Sequence, residues 1–170
     1  MRIYGDTRSG NCYKLQLLLS LLGKTCEWID VDIMKGETRA PSFLEKTPNG
    51  KIPLLELDDG RVLSESNAIM HYLASNTPLI PSSPYSFSQL LQWQFFEQYS
   101  HEPYIAVARY INIYLGLPDE RKAEYESKQA GGYRALAVME HQLNTTPFLL
   151  GDALTLADIS LFAYTHVAHE

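Results

Sequence analysis

A chain of 170 residues, 45% hydrophobic and 20% charged, has the make-up of folded domains and not of a disordered segment, with room for one ordinary domain or two small ones. Its net charge of −6 excludes nucleic acid as an expected partner, because that affinity rests on Lys and Arg neutralising phosphates. Apolar runs such as "LQLLLSLLG" are broken by Gln16 and Ser20 and are too short to span a bilayer, so no membrane partner is expected either.

The first 75 residues alternate strand and helix signals. "MRIY" reads as a short strand with no apolar secretion-signal core. Asn11–Leu22 reads as a helix, with Leu15, Leu18, Leu19 and Leu22 on one face, Leu17 and Leu21 widening it and Gly23 stopping it. "TCEWIDVDI" has the β-branched and aromatic content of a second strand. Glu37–Lys46 is predicted as a short helix ending near Pro48, and "IPLLEL" and "RVL" flank the hairpin signal "DDG". "SESNAIMHYLASN" is a third helix, with Ser64 or Ser66 placed to cap it. The order βαβ-α-ββα implies a small mixed sheet with helices on its faces.

Residues 76–88, "NTPLIPSSPYSFS", have the composition of a linker, giving domains of 1–75 and 89–170 around it. The second reads as all helix. Gln89–Leu115 is a long helix kinked near Pro103, and Asp119–Leu143 is another with Gly131–Gly132 as a weak point. A third begins at "TLADISLFAYTHVA", where Thr155 and Asp158 have capping-box spacing.

Two cysteines, Cys12 and Cys26, are too few for a disulfide framework and point to a reducing cytoplasm. His166 and His169 share helical spacing but read as a solvated helix end, so no metal is expected.

Three short segments carry chemistry. In "DTRSGNCYK", Ser9 precedes a helix N-terminus, where free amides and partial positive charge favour a thiolate. Ser9 reads either as a plain cap or as a hydroxyl donor to such a thiolate. Cys12 reads as a small buried residue, with a nucleophile as the alternative. In "TPNGKIPLLEL", a cis Ile52–Pro53 bond would expose a backbone edge for an extended peptide, with Lys51 beside it as a cation; an ordinary trans Pro at a strand edge is the plainer reading. In "LSESNAIMHYL", Ser66 at a helix start offers a carboxylate site and Glu65 a partner for an ammonium group, although a simple cap with an acidic first turn needs no ligand. Jointly the three describe a groove for a short peptide whose thiol lies near Ser9.

With those segments in view, the chain resembles the cytosolic glutathione transferases. "SGNCYK", "PNGKIPLLELDDGRVLSESNAI" and "FLLGDALTLADISL" stand in that family's order and spacing, and "FEQYSHEPYIAVARY" resembles a bacterial branch of it. The resemblance implies a thioredoxin-like N-terminal domain, an all-α C-terminal domain and a homodimer. It implies that Glu65 and Ser66 hold the γ-glutamyl end of glutathione, that Ile52 beside cis Pro53 pairs with its cysteinyl unit and that Lys51 meets its glycine carboxylate. Ser9 matches the thiolate-stabilising hydroxyl of the serine-type classes, and Asp158 is structural. A hydrophobic electrophile is expected against the long helix, with Tyr104, Ala108 and Arg109 as candidates, although Tyr104 reads equally as core and Arg109 as half of an ion pair. Family members continue for a few helices beyond "THVAHE", so the C-terminal domain is expected to be incomplete.

The leading expectation is glutathione conjugation to electrophiles. The alternatives are glutathione-dependent thiol–disulfide exchange with Cys12 as nucleophile, and a non-catalytic glutathione-binding or dimerisation module.

Overall fold

In the computed structural model, which describes residues 1–170, the opening segment forms strand β1, Arg2–Gly5. Helix α1 (Gly10–Leu21), strand β2 (Glu27–Asp30), helix α2 (Pro41–Leu44), strands β3 (Leu54–Glu56) and β4 (Val62–Ser64) and helix α3 (Ser66–Leu73) follow. The sheet order is β2-β1-β3-β4. β1 runs parallel to β2, with Ile3 opposite Trp28, and antiparallel to β3, with Ile3 opposite Leu55. β3 and β4 are antiparallel. Ile3, Leu54 and Leu55 are fully buried in the sheet, as are Leu15 and Leu18 on α1 and Ile69 and Met70 on α3.

The leucine spacing of α1 correctly locates most of its buried face, but Leu21 is exposed; Cys12 and Lys14 fill that face instead. The helix ends in a Schellman motif. Gly23, at φ +60, donates to the Ser20 carbonyl and Lys24 to the Leu19 carbonyl. The predicted helix over Glu37–Lys46 is broken into a 3-10 turn (Glu37–Arg39) and α2. Ala40 precedes Pro41 and is held extended (φ −61, ψ 140), which stops one helix and lets Pro41 start the next.

The chain divides into Met1–Thr77, just described, and Pro78–Glu170. In the second unit α4 spans Pro84–Phe96, so the stretch read as linker is helical from Pro84 onward. Ser83 is extended and Pro84 occupies the first turn, where its missing N–H costs nothing. A π turn (Glu97–His101) leads into α5 (Glu102–Arg109), and a second π turn (Tyr110–Tyr114) follows. Pro103 therefore does not simply kink a continuous α-helix: it stands in the first turn of α5, directly after a π turn.

Helix α6 (Lys122–Leu143) runs without interruption through Gly131 and Gly132. A Cβ built on Gly131 would lie 2.1 Å from Tyr104 Cδ1, so this glycine seats the Tyr104 ring of α5 and is no weak point. Helix α7 (Leu156–Thr165) is rich in apolar residues, seven of its ten positions being buried and Phe162 exposed. Its capping box is formed: Thr155 Oγ1 accepts from the Ala157 amide, and Asp158 Oδ2 accepts from the Thr155 amide at 2.8 Å. Asp158 Oδ1 also accepts from the Leu149 amide at 2.8 Å, tying the preceding loop to the helix start. No helix is long and apolar enough to cross a membrane.

Candidate functional site

The turn between β1 and α1 is fixed by Asp6. Its carboxylate accepts from Arg8 Nε (2.9 Å), Arg8 Nη2 (2.6 Å) and the Arg8 amide (2.9 Å), while its carbonyl accepts from the Ser9 amide. Burial alone would raise the Asp6 carboxyl, but the side-chain and backbone hydrogen bonds from Arg8 outweigh it and hold the group below its ordinary value. The turn delivers Ser9 to the N-cap of α1 in extended conformation (φ −76, ψ 125). There its half-buried Oγ accepts from the Cys12 amide at 3.4 Å.

Cys12 is sealed from solvent. A Cβ on Gly5 would come within 2.9 Å of its Sγ. Burial pushes the thiol up to about 11 despite hydrogen bonds with Ser9 and the Asp6 backbone. At neutral pH the group is a protonated packing element, contrary to what a nucleophile needs.

The second segment begins at Gly50, at φ +59, where a side chain would meet the Thr38 carbonyl and the Arg39 guanidinium. The Ile52–Pro53 bond is cis. Lys51 is exposed, whereas the Ile52 side chain packs against the cluster of Val31, Phe43 and Leu54. The Ile52 amide and carbonyl make no hydrogen bond within the chain's own backbone, so the edge ahead of β3 is open.

The third segment turns on Glu65, an exposed non-glycine residue at φ +68 that occupies the N-cap of α3. The first intrahelical bond runs from the Ile69 amide to the Glu65 carbonyl, so the amides of residues 66–68 precede it. Ser66 is buried, and its Oγ donates to Asn11 Oδ1 at 3.1 Å and accepts from Lys14 Nζ at 3.3 Å. The first turns of α1 and α3 are thereby linked, bringing Ser9 and Ser66 into one neighbourhood. Asn11 and Lys14 were not singled out from sequence; the available signal was a lysine four residues before Leu18, on the face that the leucines mark as buried.

Tyr104, Ala108 and Arg109 lie in the second unit, along a cleft of about 230 Å³ that Tyr125, Lys128 and Tyr133 also line. Tyr104 is spent largely on packing against Gly131. Arg109 pairs with Glu170, donates to Tyr114 Oη at 3.4 Å and lies over that ring, 5.5 Å from its centroid.

Comparison with known proteins then assigns the fold. Residues 8–76 match the glutathione S-transferase N-terminal domain and residues 93–170 the glutathione S-transferase C-terminal domain. The crystal structure of a glutathione S-transferase from Pseudomonas fluorescens Pf-5 is 59% identical, with a TM-score of 0.97 over 99% of this chain and 84% of that one. The chain belongs to the glutathione S-transferase family. Its first unit is the thioredoxin-like domain of that family and its second the helical domain.

Glutathione transferase URE2P6 from Phanerochaete chrysosporium, solved in complex with oxidized glutathione, is 30% identical, with a TM-score of 0.87 over 98% of this chain and 78% of that one. Elongation factor 1-gamma of Danio rerio is 40% identical over 127 residues, 74% of this chain. That match spans only 28% of the elongation factor.

Proposed function

We propose that this protein is a serine-type glutathione transferase of a bacterial branch, joining the thiolate of its co-substrate glutathione to an electrophilic carbon of a hydrophobic molecule. The observation that carries this reading is the contrast within one helical turn: a half-buried Ser9 hydroxyl at the α1 N-cap and a Cys12 thiol with no exposure. The reactive sulfur is then the ligand's. Ser9 donates to it, and the α1 N-terminus adds partial positive charge, lowering a thiol pKa that is ordinarily near 8.5.

The open Ile52 edge beside cis Pro53 suits the cysteinyl backbone, the exposed Lys51 the glycine carboxylate, and Glu65 and Ser66 the γ-glutamyl ammonium and carboxylate. Of the expected electrophile-site residues, Ala108 is the freest to face a substrate; Tyr104 and Arg109 are chiefly engaged with Gly131, Glu170 and Tyr114. We place the enzyme in the cytoplasm, in a detoxifying role, as a homodimer. Exposed rings of Tyr85 (72%), Phe95 (61%) and Tyr99 (83%) along α4 and its π turn support association of two copies.

Thiol–disulfide exchange through Cys12 is disfavoured by the burial of Sγ and the raised thiol. A non-catalytic module is the second reading, favoured by the 40% identity to a protein named as an elongation factor.

Conjugation assays over a panel of electrophiles separate these. Ser9→Ala is expected to lower kcat/KM by about 10–100-fold and raise the thiol pKa of bound glutathione, the scale of losing one charge-assisted hydrogen bond. Ser9→Asp keeps a cap acceptor but has no donor and sets a negative charge beside the thiolate, so it is expected to fold normally with a larger loss. Cys12→Ala is expected to retain turnover. Wild-type binding of glutathione with no turnover of any electrophile supports the module, and loss of activity in Cys12→Ala alone supports the exchange reading.

A further inference from the structure

Lys14 is a lysine with no solvent exposure on a helix face otherwise filled by Cys12, Leu15, Leu18 and Leu19. An ammonium in such a place carries a large desolvation cost, and a well-packed apolar residue of similar volume would ordinarily be as good or better for stability. Its Nζ donates to Ser66 Oγ at 3.3 Å, one residue past the N-cap of α3. We propose that Lys14 is a positioning residue of the carboxylate site at the α3 N-terminus, polarising the Ser66 hydroxyl into a charge-assisted donor to the α-carboxylate of a γ-glutamyl ligand. The inference rests on the glutathione reading above and adds to it a residue that never touches the ligand.

The donor and acceptor inventory gives the mechanism. A serine hydroxyl has one hydrogen to donate and two lone pairs to accept with. At present the hydrogen goes to Asn11 Oδ1 and one lone pair takes the Lys14 ammonium. Rotating the Asn11 amide by half a turn presents Nδ2 in place of Oδ1, so that Asn11 donates as well. Both lone pairs are then filled and the hydroxyl hydrogen is released toward the ligand. It becomes a stronger donor because a buried cation polarises the oxygen, and chains of hydrogen bonds reinforce one another in a low dielectric. The amides of residues 66–68 precede the first intrahelical bond of α3, so a carboxylate at this helix start meets dipoles of one sign, with the Lys14 ammonium on Ser66 Oγ.

The test uses calorimetric titration of the full 170-residue chain with glutathione and with 4-aminobutyryl-cysteinylglycine, which lacks only the α-carboxylate of the glutamyl unit. Lys14→Met is expected to weaken glutathione about tenfold and leave the truncated tripeptide unchanged, the size of one lost hydrogen bond to a charged group. Asn11→Ala, at a half-buried position, is expected to show a smaller loss with the same selectivity. Equal weakening of both ligands by Lys14→Met would mean a structural role and overturn the inference, as would no weakening of either. A measurement on the unsubstituted chain stands independently of how the variants fold: the ¹H–¹⁵N resonance of the Lys14 ammonium is expected to move on adding glutathione and to stay with the truncated tripeptide. No movement with either, or equal movement with both, overturns the inference. If the unsubstituted chain does not bind glutathione at all, the glutathione reading itself fails and the inference with it; wild-type binding with an unselective Lys14→Met fails the inference alone.

Discussion

Replacing Gly131 by alanine puts a methyl group where the Tyr104 ring already lies. The new Cβ would stand 2.1, 2.2 and 2.5 Å from Cδ1, Cε1 and Cγ of that ring. Ordinary contacts of this kind lie at 3.4–4 Å, so the ring must retreat by more than an ångström. Three ring atoms are involved, Cγ among them, so a small swing of a flexible tip does not relieve the clash. Overpacking of this sort costs about 1–3 kcal/mol, and the geometry places Gly131 near the upper end. Against this stands the gain of alanine over glycine inside a helix, about 1 kcal/mol. The balance is a destabilisation of about 2 kcal/mol, or roughly 4–8 °C in Tm for a chain of this size. Thermal and urea unfolding followed by circular dichroism measure it. The decisive arm is the same substitution in a Tyr104→Ala background, where the clash is gone and only the propensity gain remains: alanine at 131 is then expected to stabilise by about 1 kcal/mol. Equal stability of Gly131→Ala and wild type, or the same loss in both backgrounds, would refute the assignment of Gly131 as a seat for Tyr104.

Asp158→Ala removes the acceptor for the Thr155 and Leu149 amides, and Leu149 is buried; unfolding is expected to become easier by about 2–4 kcal/mol, while a drop below about 0.5 kcal/mol would contradict the role of the cap. Asp6 has a folded-state pKa lowered from 3.8, so its contribution is full above that value and is lost as pH falls through the lowered one. The stability gap between wild type and Asp6→Asn should therefore be widest near pH 7 and close on acidification in urea titrations; a gap independent of pH would count against the Arg8 pairing. Phe95→Glu places a charge in the exposed aromatic stripe, and sedimentation is expected to show a dimer for wild type and a 19.3 kDa monomer for the variant. An unchanged mass would remove that stripe from the interface.

What could be read from sequence divides along a physical line. Features set by neighbours in the chain were legible: the leucine stripe of α1, the Gly23 stop, the turn at "DDG" and the Thr155–Asp158 box all depend on residues within a few positions of one another. Features set by distant partners were not. Gly131 looked like a weak point because the ring that requires it belongs to another helix. Pro84 was counted with the linker prolines because composition cannot tell a helix-starting proline from a helix-breaking one; only Ser83 extended before it makes the difference. Lys14 carried no local sign of a role, its partner Ser66 lying 52 residues away. The candidate site shows the same division. The residue types, their order and, as one of two readings, the Ile52 edge were visible, whereas the Asn11–Ser66–Lys14 link required two helices to be assembled.

The assembled site shows Ser9 as a cap, and on the proposed reading that role is compatible with the thiolate donor weighed against it in the sequence. Cap and thiolate donor read as competing roles as long as the hydroxyl is treated as one group with one use. Its oxygen accepts from the Cys12 amide, which consumes a lone pair and not the hydroxyl hydrogen that now faces the Cys12 thiol. Capping fixes where the oxygen sits, and an amide donating into it makes its hydrogen the better donor. A cysteine at position 9 would cap poorly and bring its own sulfur, whereas serine holds the helix end and, on the proposed reading, leaves the sulfur to the ligand. Ser66 repeats the arrangement at α3, with Lys14 donating into the oxygen where Ser9 takes an amide. Both helix starts thus present a serine whose oxygen is anchored from within the protein; on the glutathione reading we propose, the charge behind Ser66 suits it to a permanent anion and Ser9 to a thiol that must lose its proton first.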